Sequence, residues 1–109
     1  MIINSVSIER INLSKGGNEM YSKTTTIVNK TGLHARPASE FVKAATQFDS
    51  KVSIRRVGAE DEANAKSIVF VLSLGLSKGT EVEVIARGDD EQAAVDSLVA
   101  LIESGFGEE

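Results

Sequence analysis

The single histidine of this 109-residue chain stands in Gly32-Leu33-His34-Ala35-Arg36-Pro37-Ala38, where the pattern opens an amphipathic helix. A helix start gathers unpaired backbone N–H groups and the positive end of the helix dipole, so it attracts anions and holds phosphate well. The same dipole disfavours the imidazolium form, which keeps a ring at this edge nucleophilic. Arg36 adds a planar guanidinium suited to phosphate oxygens. These residues read as a phosphoryl acceptor, His34, with Arg36 and the amides around Ala35 and Arg36 stabilising charge on the moving group. Pro37 fits the first helical turn whatever the chemistry, because its missing N–H would have no intrahelical acceptor there.

The elements that must position this turn follow from periodicity. Tyr21 to Asn29, with its run Thr24-Thr25-Thr26-Ile27-Val28, reads as a strand, and Lys30-Thr31-Gly32 as a turn. Ala38, Phe41, Val42, Ala45 and Phe48 recur at helical spacing and predict a helix from about Ala35 to Phe48. Val52, Ile54 and Arg56 alternate with Ser53, Arg55 and Val57 as a second strand, and a short strand is expected around Glu62 to Ala65. The apolar run Ile68 to Leu72 is ambiguous by periodicity, but Ser67 as N-cap and Gly75 as terminator favour a short helix. Thr80 to Arg87 alternates as a further strand. The last helix is expected to start at Asp89 or Asp90 with Asp89 and Gln92 at capping-box spacing, to bury Ala94, Leu98, Leu101 and Ile102, and to end at Gly105. Strands interleaved with amphipathic helices indicate an α+β fold, one sheet covered on a single face.

Composition narrows the function. No cysteine is present, which removes disulfides, thiolate metal sites and cysteine nucleophiles, and suits a reducing compartment. One histidine among scattered carboxylates makes a metal site improbable, and no cofactor is expected. A formal charge of −4 argues against nucleic-acid binding, while leaving room for a local basic spot around Arg36, Lys43, Arg55 and Arg56. Tryptophan is absent, so the core is expected to be aliphatic and anchored by Phe41, Phe48, Phe70 and Phe106. No stretch reaches transmembrane length, and Met1 to Arg10 lacks the basic start and apolar run of a signal peptide, so the expected location is cytoplasmic without direct membrane insertion. No second catalytic partner accompanies His34, which argues against a hydrolase.

The run Thr31-Gly32-Leu33-His34-Ala35-Arg36-Pro37-Ala38 and a second block, Lys66-Ser67-Ile68-Val69-Phe70-Val71-Leu72-Ser73-Leu74-Gly75, together resemble the histidine-containing phosphocarrier (HPr) family of the bacterial sugar phosphotransferase system. The resemblance covers Met20 to the C-terminus. It implies an open-faced β-sandwich, a four-stranded antiparallel sheet covered on one face by three helices. It also implies that enzyme I, charged from phosphoenolpyruvate, phosphorylates Nδ1 of His34, and that sugar-specific enzyme IIA domains receive the group. The chain would then be a carrier rather than a complete catalyst, and a monomer. Ser67 matches a serine that a dedicated kinase/phosphorylase modifies in some members, creating a surface for a transcriptional co-regulator. Ile68, Val69 and Leu72 are the expected docking residues, with Phe70 and Val71 expected to be the buried ones. Phe70 departs from the small residue usual in the family. The loop Gly58 to Lys66 is longer than usual, and its Glu60-Asp61-Glu62 would weaken kinase docking. An alternative is a regulatory or nitrogen-related paralogue acting by contact.

Residues 1–19 fit none of these elements and are expected to be a non-native or disordered extension, with the phosphocarrier domain spanning residues 20–109. Codons for Lys15-Gly16-Gly17 can read as a ribosome-binding sequence just before the Met20 codon, which points to Met20 as the natural start.

Overall fold

The computed structural model describes residues 20–108. The reading of residues 1–19 lies outside the described residues. In chain order come β1 (Tyr21–Thr26), α1 (Ala35–Ala45), β2 (Lys51–Arg56), β3 (Ala63–Asn64), α2 (Ile68–Ser73), β4 (Glu81–Arg87) and α3 (Glu91–Glu103), followed by a 3-10 turn at Gly105–Gly107. The four strands form one sheet in the order β1-β4-β2-β3, antiparallel at every pairing.

Alternation along the strands sorts the sheet into two faces. Val52, Ile54, Val82, Val84 and Ala86 point into the core, where they meet Leu33, Phe41, Val71, Leu98 and Ile102. Tyr21, Lys23 and Thr25 of β1 lie under α3, reaching Asp96 and Glu103 through hydrogen bonds and an ion pair. The other face carries a polar cluster. There Arg55 donates from Nε to Glu83 Oε1 at 2.8 Å, and the Ser22 hydroxyl donates to Glu83 Oε2 at 2.7 Å.

This separates the basic residues that the sequence grouped together. Arg55 and Arg56 are adjacent on a strand and so face opposite ways: Arg55 pairs with Glu83, while Arg56 donates to the Leu74 carbonyl at 2.6 Å and caps the end of α2.

Helix α1 forms because Pro37, Ala38, Phe41 and Ala45 make one buried stripe, with Lys43 complementing the dipole in its last turn. It stops at Ala45 rather than Phe48. The chain turns there because the Asp90 carboxylate accepts from the Asp49 and Ser50 amides, both at 2.9 Å, and from the Ser50 hydroxyl. Asp90 is also the N-cap of α3, so one side chain ties the exit of α1 to the entry of α3. The expected Asp89/Gln92 capping box is replaced by Glu91, whose Oε1 accepts from the Gly88 amide at 3.0 Å. Helix α3 buries Ala94, Val95, Leu98, Val99 and Ile102, leaving Leu101 half-buried. Among the described residues no helix is long and apolar enough to cross a membrane, and no cluster of three or more metal-ligating side chains occurs.

Candidate functional site

His34 is the N-cap of α1, in extended geometry with φ −132° and ψ 165°. Its side chain makes no capping hydrogen bond, and among the described residues neither ring nitrogen has a partner. The ring is partly exposed, seated on a core-anchored loop whose Leu33 side chain is fully buried. Ala35 follows at φ 48°, in the left-handed region that a side chain with a Cβ occupies at a cost of about 1–2 kcal/mol. The first intrahelical bond is the Ala38 amide to the His34 carbonyl at 3.3 Å. Pro37 has no amide, and the Ala35 and Arg36 amides donate to no described residue. Two unpaired N–H groups thus adjoin an unpartnered imidazole, the arrangement that receives an anion at a helix start.

The turn before His34 is fixed by Gly32 at φ +73°. A Cβ there would lie 2.4 Å from the Leu76 carbonyl oxygen, so only glycine allows the close approach. The Leu33 amide donates to that same carbonyl at 2.9 Å. Through this contact the His34 loop is held against the segment that leaves α2.

Arg36 is engaged at both ends of its fork. One Nη donates to Glu40 Oε2 at 2.6 Å, one helical turn on, and the other to the Phe106 carbonyl at 3.0 Å. The C-terminal segment also grips the loop directly: Glu108 Oε2 accepts from the Thr31 hydroxyl at 2.8 Å and its Oε1 from the Thr31 amide at 3.2 Å. Asn29 Nδ2 donates to the Gly32 carbonyl at 2.9 Å and to Glu108 at 3.3 Å. The Thr31 hydroxyl, then the Thr31 amide, hold the Glu108 carboxyl below the usual carboxylate range, with smaller contributions from Asn29 and the Arg36 charge.

Ser67 is the N-cap of α2, its hydroxyl accepting from the Phe70 amide at 3.3 Å. Of α2 only Val71 is buried. Ile68 (37% exposed), Val69 (68%), Leu72 (40%) and Phe70 (55%) all reach solvent. The exposure of Phe70 reverses the sequence expectation, and the core is anchored by Phe41 and Phe106 with Phe48 packed against it. Successive residues on a helix lie about 100° apart, and α2 rests on the core through Val71 alone, which turns Phe70 onto an open flank.

Sequence reasoning singled out His34, Arg36 and Ser67 but not the residues that restrain them. Glu40 stands at the i+4 spacing that signals a helical ion pair, and was legible in that sense. The left-handed Ala35, the Phe106 carbonyl and Glu108 carry no local signal.

The open-faced sandwich with an unpartnered histidine on an N-terminal helical turn defines a phosphocarrier type of protein, and comparison with known proteins agrees. The family model described as the PTS HPr component phosphorylation site matches residues 21–104. Phosphocarrier protein HPr of Haemophilus influenzae is 46% identical over 83 residues, covering 76% of this chain and 95% of that protein. A crystal structure of HPr from Thermoanaerobacter tengcongensis superposes with TM-score 0.76 at 50% identity, over 81% of this chain and 97% of the other. Crh of Bacillus subtilis, a catabolite-repression protein solved as a dimer with a swapped domain, gives TM-score 0.61 at 47% identity, over 70% of this chain and 85% of the other. The chain belongs to the HPr family of phosphocarriers of the phosphotransferase system.

Proposed function

We propose that His34 accepts a phosphoryl group from enzyme I and passes it to sugar-specific enzyme IIA domains, in the cytoplasm, without catalysing a net reaction of its own. The lone pair of Nδ1 forms the N–P bond as the donor's bond to phosphorus breaks; the reverse exchange delivers the group to the acceptor. The Ala35 and Arg36 amides meet phosphoryl oxygens. Arg36 leaves Glu40 to join them. Its present pair with Glu40 is solvent-exposed and worth about 0–1 kcal/mol, whereas the arriving group carries nearly two negative charges. Ile68, Val69 and Leu72 form the apolar surface on which donor and acceptor dock in turn.

Ser67 is proposed as a regulatory phosphorylation site. A phosphate there adds negative charge to the docking face, slows transfer to His34 and offers a transcriptional co-regulator a new contact. The likeness to Crh keeps a contact-only paralogue as the second reading. The unpartnered ring of His34 favours the carrier, since a contact-only protein has no need of a free nucleophile. The chain acts as a monomer in this reading, and sedimentation distinguishes it from a swapped dimer of the kind Crh forms.

The observation that carries the proposal is the unpaired imidazole beside two unpaired amides. Incubation with phosphoenolpyruvate and enzyme I, followed by mapping of the acid-labile label, tests it. Label is expected on His34 and absent from a folded His34→Ala variant; label persisting on that variant rejects the assignment.

A further inference from the structure

The ring of Phe70 is 55% exposed, and nothing in the fold requires it to be there. Phe70 belongs neither to the buried core nor to the residues packed against it. On α2, successive residues are about 100° apart, so taking Val71 as the inward direction sets Ile68 and Leu72 on one flank, Val69 at the crest and Phe70 on the opposite flank. The proposed docking surface therefore wraps around the helix instead of ending at its crest.

On its own flank Phe70 faces a groove of about 570 Å³ between α2 and the chain entering β3, lined by Asp61, Glu62, Asn64, Ser73 and Leu74. The rim is acidic. Glu62 reaches Arg87 at 3.6 Å, but Asp61, which lines the groove, and Glu60, next to it in the exposed loop, have no ion pair among the described residues. No lysine or arginine lines the groove. At the other end of the surface, Arg36 and the free amides beside His34 supply positive charge.

From this we infer a second contact point on the docking face, with Phe70 at its centre, that takes a protein segment bearing an aliphatic side chain next to a lysine or arginine. This rests on the phosphocarrier reading and specifies the partner of that same surface. The aliphatic group fills the groove against the Phe70 ring, and the cation meets Asp61, with the charge of Glu60 beside it in the chain. An apolar crest bounded by positive charge near His34 and negative charge at the groove fixes which way round a partner sits: its phosphorylated end over α1 and its basic segment over β3. A second copy of this chain is the poorer occupant, because it brings the same acidic loop and a formal charge of −4.

The test measures binding of unphosphorylated enzyme I and of enzyme IIA domains from the same organism by titration calorimetry, at low and high salt. Phe70→Ala is expected to weaken at least one partner about tenfold, as loss of an interfacial aromatic does. The charge-removing pair Glu60→Gln/Asp61→Asn is expected to weaken the same partner about threefold and to flatten its salt dependence. Circular dichroism should show both variants folded. The inference is overturned if both variants bind every partner within about twofold of the unaltered chain, if the charge variant binds more tightly, or if Phe70→Ala instead dissolves a self-dimer. Because binding is read without phosphorylation, failure of His34 to take up label while Phe70-dependent binding persists sinks the carrier reading alone. Failure of the unaltered chain to bind any partner sinks both.

Discussion

Replacing Gly32 with alanine probes the contact that sets His34 in place. The new Cβ would stand 2.4 Å from the Leu76 carbonyl oxygen and 2.8 Å from the Ser77 Cα, both backbone atoms that cannot rotate aside. Separating them stretches the hydrogen bond from the Leu33 amide to Leu76, now 2.9 Å, at a residue that is fully buried. An unsatisfied buried amide costs about 1–3 kcal/mol, and alanine at positive φ adds about 1–2 kcal/mol. The expected loss is about 3 kcal/mol, which lowers the urea midpoint by about 2 M with the m-value unchanged. Gly75→Ala is the control. Its φ is +60° and nothing lies within 4 Å of its added Cβ, so it carries the conformational term alone, about 1 kcal/mol. Urea unfolding followed by circular dichroism reads the difference. If the two variants lose the same stability, the close approach of Gly32 to Leu76 does not constrain the loop and the reasoning fails.

Three further outcomes follow from the α2 cap and the C-terminal clasp. Ser67→Ala removes the acceptor for the Phe70 amide and should destabilise by about 1 kcal/mol in thermal unfolding, whereas Ser67→Asp keeps an acceptor, adds charge and should slow phosphorylation of His34; an unchanged rate removes the regulatory role. Glu108 has its pKa depressed by Thr31, so the clasp contributes stability that is fully present above the ordinary glutamate value and is lost only as pH falls through the depressed one. The Thr31 amide resonance should therefore titrate with a midpoint below the ordinary glutamate value, and a midpoint at or above it refutes the clasp.

Much of the fold was legible in the sequence because its signals are local. The stripe Ala38, Phe41 and Ala45 declares α1, and alternation at Val82, Val84 and Ala86 declares β4. Ser67 declared the start of α2 through its cap. The errors fall where the deciding partner is distant in sequence. Asp90 is the N-cap residue, one of the two the sequence offered, but its carboxylate is taken by Asp49 and Ser50 across the fold instead of capping its own helix. The end of α1 moved for the same reason. Phe70 was expected inside together with Val71, but α2 seats only Val71 in the core, and which flank of so short a helix is covered depends on distant elements. At the site, His34, Arg36 and Pro37 were legible as a motif. The grip of Phe106 and Glu108 on Arg36 and Thr31 was not, since it joins residues some seventy positions apart.

That grip bears on how a carrier can be both stable and ready to react. The His34 loop is held from two directions: Gly32 and Leu33 fasten it to Leu76 at the exit of α2, and Asn29 and Thr31 fasten it to Glu108. The first link is backbone against backbone and has no slack, so the ring and the apolar surface of α2 keep a fixed relation, as the proposed docking of one partner over both requires. The outer part of the second link is a hydrogen bond from the exposed Thr31 hydroxyl to the half-buried Glu108, above a buried Asn29, and the hold of Glu40 on Arg36 likewise lies at the surface. Contacts of that kind are worth little individually and can be exchanged without disturbing the core. A rigid link where geometry must persist, and weak ones where charge must move, is the division of labour that the phosphoryl exchange proposed at His34 demands.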